Sequence, residues 1–271
     1  MNLTSPSQVK AWCIANEFHP NRTLGQNFLI DRNALTAIVD AGVGTTPSPG
    51  ARVLEIGPGL GVLTEELLAR GTRVTAIEKD PVLAKRLPDA LGNPQRLTVV
   101  AGDALDVIAG RNGNSAVMSE GFDFMVSNLP YQAGTRILLE LAMRRIAPSM
   151  TVLLQTEVAE RLAAGPGSKT RSLAGVWVQL DYDVQIVRKV AASCFWPRPE
   201  VASTVVTLVR HDRNIDVSEE ERVFFRHLTK QAFEHRRKQL GSIFRDMIQS
   251  SARAEELSNE EWLTIVKGLK E

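Results

Sequence analysis

The chain lacks most of the features that would narrow its function from composition alone. Its formal charge is +1 over 271 residues, so no global field marks a nucleic-acid partner and any basic surface has to be local. It has two cysteines, Cys13 and Cys194. They lie far apart in no metal-ligand spacing, which reads as two unpaired thiols in a reducing compartment. Its four histidines, His19, His211, His227 and His235, form no ligand set, and no metal is expected. No run of apolar residues is long enough for a membrane span. The first residues have no continuous apolar segment and include Glu17, which argues against a signal peptide. There is no internal repeat. What remains, 44% hydrophobic and 23% charged residues, is ordinary globular composition with room for one large domain and a small one.

The most informative stretch is Ser127-Asn128-Leu129-Pro130-Tyr131. It follows an apolar run, Phe122-Asp123-Phe124-Met125-Val126, that reads as a buried strand. Asn, Pro and Tyr pack poorly at a strand's carboxyl end. They suit a site that offers acceptors and an aromatic face to a flat ligand, and open α/β sheets bind ligands there. A strand stopping in a proline turn would look the same. The upstream glycine loop favours the site.

That loop is Gly57-Pro58-Gly59-Leu60-Gly61, set between a strand at 52–56 and a helix through Leu63, Leu67 and Leu68 that closes at Gly71. Strand, glycine loop and helix let backbone approach a nucleotide-like ligand at the helix N-terminus. Val62 stands where a dinucleotide fingerprint needs its third glycine, so the pattern points to an adenosyl cofactor without a pyrophosphate. A second strand, 74–77, ends at Glu78, which can accept from both ribose hydroxyls or serve as a solvated turn acid in Glu78-Lys79-Asp80-Pro81; the glycine loop upstream favours the ribose. A third, 97–100, ends at Gly102-Asp103-Ala104, where Asp103 can accept from an adenine amine or cap a helix. Upstream, Gln26 and Asn27 beside Gly25 form an exposed amide pair in a loop. Residues 110–121 read as a mobile surface loop. A helix at 135–146, a strand at 151–154, helices at 157–164 and 173–180, a strand through Val184, Ile186 and Val187, a stiff Cys194-Phe195-Trp196-Pro197-Arg198-Pro199 loop and a last strand at 204–209 follow. Alternating strands and helices imply a mostly parallel sheet, here of seven strands with an antiparallel edge pair. The expected domains are 1–210 for this Rossmann-like sheet and 211–271 for a small all-helical domain.

The second part is purely helical, with capping boxes at Ser218/Glu221 and Ser258/Glu261. Between 222 and 245 stand seven basic residues, Arg222, Arg226, Lys230, Arg236, Arg237, Lys238 and Arg245, against one acid, Glu234. At helical spacing Arg222, Arg226, Lys230 and Arg237 share a face. In a neutral protein this local excess points to RNA phosphate contact.

Read together, these stretches resemble the ribosomal RNA small-subunit adenine dimethyltransferases over most of the chain. The resemblance rests on Leu24-Gly25-Gln26-Asn27-Phe28-Leu29, Glu55-Ile56-Gly57-Pro58-Gly59-Leu60-Gly61, Ile77-Glu78-Lys79-Asp80, Gly102-Asp103-Ala104 and Asn128-Leu129-Pro130-Tyr131, then on 157–162, 165–169, 195–201 and 233–238. It implies an S-adenosylmethionine-dependent methyltransferase acting on immature small ribosomal subunits, monomeric and cytoplasmic, with no membrane partner. It implies a cofactor site at Gln26, Asn27, Leu29, Gly57, Gly59, Gly61, Glu78, Asp103, Ala104 and Asn128. It implies a target adenine held by Asn128, Leu129, Pro130 and Tyr131, with Phe195 as a second aromatic wall, and RNA contacts at Arg222, Arg226, Lys230, Arg236, Arg237 and Lys238. The chain departs from the family where Leu24 replaces the usual Phe, where Arg171-Ser172 replace a Tyr-Gly pair, and near Ser242, where Asn is usual. Alternatives are a large-subunit RNA methylase of the macrolide-resistance type, a DNA adenine methylase, for whose target-recognition domain there is no room, and a non-catalytic assembly factor on the same fold.

Overall fold

A computed structural model describes residues 1–111, 113, 115–119, 121–245 and 247–269. In chain order the helices are α1 (Pro6–Ala15), α2 (Arg32–Val43), α3 (Val62–Ala69), α4 (Pro81–Ala90), α5 (Ala104–Ile108), α6 (Ser115–Ser119), α7 (Gly134–Met143), α8 (Thr156–Ala163), α9 (Leu173–Gln179), α10 (Glu219–Glu234), α11 (Leu240–Phe244) and α12 (Asn259–Gly268). The strands are β1 (Phe28–Leu29), β2 (Arg52–Ile56), β3 (Arg73–Glu78), β4 (Leu97–Ala101), β5 (Phe124–Asn128), β6 (Ser149–Gln155), β7 (Tyr182–Val190), β8 (Phe195–Trp196) and β9 (Ser203–Arg210).

Seven strands form one sheet in the order β4-β3-β2-β5-β6-β9-β7. The pairs β3/β4, β2/β3, β2/β5 and β5/β6 are parallel, and β9 runs antiparallel to β6. This is the expected Rossmann-like methyltransferase sheet. The order reverses between β2 and β5, which makes the space above their carboxyl ends the natural ligand crevice. Near-continuous apolar strands such as Arg52-Val53-Leu54-Glu55-Ile56 are what a sheet covered on both faces requires. Helices α2 and α3 supply Leu35, Ile38, Val39, Leu63 and Leu67 to one core with Val53, Val126 and Val205. The β5 strand lies two residues later than its apolar run suggested. Asp123 stays outside it and accepts from the Arg52 amide at 2.7 Å. The loop expected at 110–121 contains the short α6; residues 112, 114 and 120 lie outside the described residues. The stiff proline loop hides a two-residue strand, β8, paired antiparallel with β1.

The chain divides into two compact units, 1–159 with 185–210, and 160–184 with 211–271. The second unit is thus larger than the expected 211–271. The reason is packing: Val176 and Leu180, from and just beyond α9, share a core with Phe225, Leu228, Leu240 and Trp262. Both capping boxes form, with Ser218 Oγ accepting from the Glu221 amide and Ser258 Oγ from that of Glu261. Arg171, one of the departures from the family, is 1% exposed and directs Nη2 to Asn259 Oδ1 at 3.4 Å. Among the described residues, no helix is long and apolar enough to cross a membrane.

Two buried charged groups shape the energetics. In the second unit Arg222 is interior, not on a phosphate-facing surface. Its Nη1 donates to both Asp181 oxygens at 2.7 Å, Nε donates to the Val217 carbonyl at 3.1 Å and Nη2 to that of Asn214 at 2.7 Å. In the first unit Glu55, 1% exposed, accepts from Thr64 Oγ1 at 2.7 Å. Burial pushes its carboxyl up to about 8; the Thr64 hydrogen bond opposes this and the negative field of Glu78 adds to it.

Removing one member of a buried ion pair leaves the other unpaired, so Arg222→Ala should destabilise the second unit by about 3–5 kcal/mol. Arg226→Ala, which loses one contact to an exposed partner, Glu219, should cost under about 1 kcal/mol. Urea denaturation of both variants separates a structural from a surface arginine. For Glu55 the folded pKa lies above the unfolded one. Between the ordinary carboxyl value of 4.5 and about 8 the unfolded chain has released a proton that the fold retains, so stability falls as pH rises. Glu55→Gln should remove a slope of about 1.4 kcal/mol per pH unit. The variant should therefore gain on the wild type from mildly acidic to mildly basic solution, as thermal melts across that window will report.

Candidate active site

A cleft with an open volume of about 180 Å³ lies above the switch point. Four strand ends, those of β2, β3, β4 and β5, build it with the glycine loop and the 24–29 segment. The glycine loop leaves β2, and the Gly57 amide donates to the Ile77 carbonyl at 2.8 Å, which stitches the loop to β3. At Gly59, φ is +59° and a Cβ would sit 3.1 Å from the Phe28 ring, so a side chain there would strain the backbone and press on that ring. Gly61 answers to a different demand. Its φ is +91° and a Cβ would fall 2.5 Å from Leu87 Cδ1. It is buried against α4 and does not line the cleft. Gly61, expected at the cofactor, lets the start of α3 close on Leu87 of α4.

Glu78, 6% exposed, ends β3. Its Oε2 accepts from the Gly59 amide at 3.0 Å and its Oε1 from the Asp80 amide at 2.8 Å. Burial pushes its carboxyl up, while those two amides pull the other way. Asp80 then caps α4 through the Val82 and Leu83 amides and accepts from Gln26 Nε2 at 2.9 Å. That last bond ties the 24–29 loop to the strand ends. Asp103 ends the next strand and caps a helix, one of the two readings of its position. Its Oδ1 caps α5 at the Leu105 amide, 2.8 Å away, and its Oδ2 pairs with Lys79 Nζ at 2.8 Å. The Lys79 bond holds its carboxyl below the usual range, against a smaller opposing effect of burial.

Asn128 ends β5. Its Nδ2 donates to the Asn27 carbonyl at 3.1 Å, which fixes the carboxamide and leaves Oδ1 without a protein donor among the described residues. Ser127 beside it donates to the Ile56 carbonyl at 2.6 Å, locking β5 to the end of β2. Pro130 Cδ faces Gly57, and the Pro130 carbonyl already accepts from the Gly134 amide at 2.7 Å. Of the Leu129 and Pro130 backbone carbonyls, that of Leu129 is therefore the freer.

The structure brings Gln26, Asn27, Leu29, Gly57, Gly59, Glu78, Asp103, Ala104, Asn128 and Pro130 to one cleft. It does not bring all of the expected aromatic and stacking groups. Leu129 is a buried side chain packed against Gly134. Tyr131 is half-buried outside the lining, its hydroxyl 2.6 Å from Ser203 Oγ. Phe195 is corrected outright. It is 2% exposed and belongs to the core with Leu29, Leu35 and Ile38. Strand alternation explains it: Phe195 opposite Leu29 points inward, and Trp196 opposite Phe28 takes the other face, where the two rings stack at 6.5 Å. Phe28, unremarked in the sequence beyond its place in a motif, is the aromatic residue that lines the cleft, and Glu55 is the unforeseen carboxylate there.

The basic segment of the second unit is likewise mixed. Helix α10 ends at Glu234, so Arg237 does not share a helix face with Arg226 and Lys230. Arg226 pairs with Glu219 at 2.9 Å, and Arg236 donates to the Lys169 carbonyl at 2.6 Å. Lys230, Arg237 and Lys238 are exposed.

A strand-end Asn, a glycine loop clamped by a strand-end carboxylate and a seven-stranded sheet with one reversed strand describe a fold that recurs among known proteins. A dimethyladenosine transferase from Plasmodium falciparum superposes with a TM-score of 0.73 at 22% identity, over 89% of this chain and 96% of its own. The 23S rRNA methyltransferase ErmE gives 0.66 at 23%, over 90% and 100%; at these identities the likeness establishes the fold. Sequence likeness goes further. A ribosomal RNA small subunit methyltransferase A from Deinococcus radiodurans is 42% identical over 206 residues, 76% of this chain and 67% of that protein. One from Lactobacillus johnsonii is 34% identical over 270 residues, 96% of this chain and 89% of that protein. The sequence profile described as ribosomal RNA adenine dimethylase matches residues 17–270, and with the strand-end site in place the chain belongs to that family.

Proposed function

We propose that this protein transfers methyl groups from S-adenosylmethionine to the exocyclic amines of adenines, two adjacent ones each dimethylated, in a loop of small-subunit ribosomal RNA. The observation that carries the reading is Asn128, anchored through Nδ2 at the switch point with its carbonyl oxygen left for a ligand. The relatives named as small-subunit methyltransferases support the choice of subunit.

The cleft's chemistry fits the cofactor. Glu78 offers acceptors for ribose hydroxyls, Asp103 offers one for the adenine amine, and Ile56, Ile77 and Ala104 are apolar neighbours for a flat base. A buried carboxyl whose charge is costly, Glu55, suits a cationic ligand nearby, because a cation favours its ionised form. When bound, S-adenosylmethionine supplies an electrophilic methyl on a sulfonium.

The chain's own work is positioning and electrostatics. An adenine amine is a poor nucleophile while its lone pair is delocalised into the ring. The Asn128 carbonyl and the Leu129 backbone carbonyl accept hydrogen bonds from its N–H groups, draw the nitrogen toward tetrahedral geometry and free the lone pair for in-line attack; the nitrogen, acidic once methylated, then gives up its proton to solvent. Pro130 presents no competing N–H. Tyr131 stacks the base, held at that station by Ser203. A paired adenine hides its amine, so the substrate is a loop or a splayed base. Among the expected RNA-binding residues, the exposed Lys230, Arg237 and Lys238 are the ones suited to phosphates.

Asn128→Ala keeps the backbone path and removes one preorganised acceptor, so single-turnover methyl transfer to immature small subunits should slow by about 10²–10³, with RNA affinity little changed because phosphate contacts dominate it. A wild-type rate in that variant would remove Asn128 from the reaction. Glu78→Ala should weaken S-adenosylmethionine binding at least about tenfold, from charge-assisted hydrogen bonds worth about 1.5–3 kcal/mol. Calorimetric titration reads this directly, and unchanged affinity would reject the ribose assignment.

A further inference from the structure

In a parallel sheet the loops that enter the strands lie at the edge opposite the ligand crevice. In this protein those loops are rich in one residue. Arg52 and Arg73 open β2 and β3 and are direct cross-strand partners. Arg96 precedes β4, and its carbonyl accepts from the Val74 amide at 2.8 Å. Arg144 and Arg145 precede β6. Arg210 closes the antiparallel β9; its amide donates to the Pro148 carbonyl at 2.8 Å and its Nη1 to the Arg145 carbonyl at 3.3 Å. The strand order therefore sets these side chains in a row, Arg96, Arg73, Arg52, then Arg144 and Arg145, then Arg210, and all six are exposed. With adjacent strands about 4.8 Å apart, the row spans about 24 Å. Acids near this edge are already engaged: Asp40 and Glu66 pair with Arg70, and Asp123 accepts from the Arg52 amide.

A merely solvated face would intersperse both signs and use lysine as readily as arginine. Here six arginines and no lysine stand on one edge of a protein whose formal charge is +1. Arginine's planar fork engages phosphate oxygens in pairs, which lysine cannot do. From this register and charge we propose that the amino-terminal rim of the sheet is a second RNA-binding surface, taking the phosphate backbone of a ribosomal RNA segment other than the one that delivers the adenine. The proposal rests on the RNA substrate put forward above. The strands hold the rim roughly 20 Å from the cleft, from five to seven residues at about 3.3 Å each. One short loop therefore does not serve both sites. The surface selects a large folded RNA whose separate parts reach both edges of the sheet.

The test is a variant with Arg73→Gln, Arg96→Gln and Arg144→Gln, whose side chains sit on the exposed rim. Binding to small subunits from cells lacking this methylation is measured from about 50 to 200 mM salt. Each lost phosphate contact lowers the slope of log affinity against log salt by about 0.7–0.9, so the variant's slope should fall by about 2 and its affinity at the low-salt end at least about tenfold. S-adenosylmethionine affinity and the single-turnover rate at saturating enzyme should stay at wild-type values. An unchanged salt slope overturns the proposal, including the case in which the rim serves an acidic protein instead. Should the triple variant fold poorly, Arg144→Glu alone, in a loop, is held to the same criterion in the same direction. Wild-type methylation of the same subunits reports separately on the reaction: its absence counts against the proposed function, whereas an unaltered slope with normal methylation counts against the rim alone.

Discussion

The structure of the site depends on one buried carboxylate holding a glycine loop. Glu78 has almost no access to water, and its charge is tolerated because the Gly59 and Asp80 amides donate to it. Without those donors, burial alone would favour the neutral acid. Without the carboxylate, the Gly59 amide would lose its partner inside the protein and the loop its register on β3. The other oxygen of the same carboxylate accepts from the amide of Asp80, whose side chain starts α4 and receives Gln26. Glycine loop, helix start and the 24–29 segment are thus fastened through two acids, Glu78 at the end of β3 and Asp80 two residues beyond it.

A site built this way is assembled by topology before it is specialised by chemistry. Reversal of strand order opens the crevice, and consecutive parallel strands deliver Glu55 and the glycine loop, Glu78, Asp103 and Asn128 to the same edge. Asn128 is the member whose placement is most restrictive. Its amide end is spent on Asn27 and its neighbour Ser127 on Ile56, so the carbonyl oxygen is presented by a side chain that has little freedom to reorganise. Fixed dipoles of this kind are what slow nucleophiles require.

Much of this was legible in the sequence. Strands with near-continuous apolar runs, glycines at a strand-helix junction and capping boxes are local signals, and the polar residues at strand ends were conspicuous because they pack poorly. What was not legible depended on partners far away in the chain. Arg222 reads as one more cation on a basic helix until Asp181, forty-one residues earlier, is seen beneath it. Phe195 reads as an exposed aromatic until its pairing with Leu29 decides which face it takes. Gly61 reads as part of a nucleotide loop, and only the approach of Leu87 from α4 shows that it serves helix packing. The boundary of the second unit was missed for the same reason, since Val176 and Leu180 join a core made mostly of residues beyond 211.

The central claim is that the strand-end site of this family member methylates adenine in small-subunit RNA. The most direct measurement is to incubate the purified protein with methyl-labelled S-adenosylmethionine and unmethylated ribosomes in both subunits, then to map the label by nuclease digestion and mass spectrometry. The account predicts label in N6,N6-dimethyladenine at adjacent positions of the small-subunit RNA. Label confined to large-subunit RNA, or none in either subunit, would contradict it.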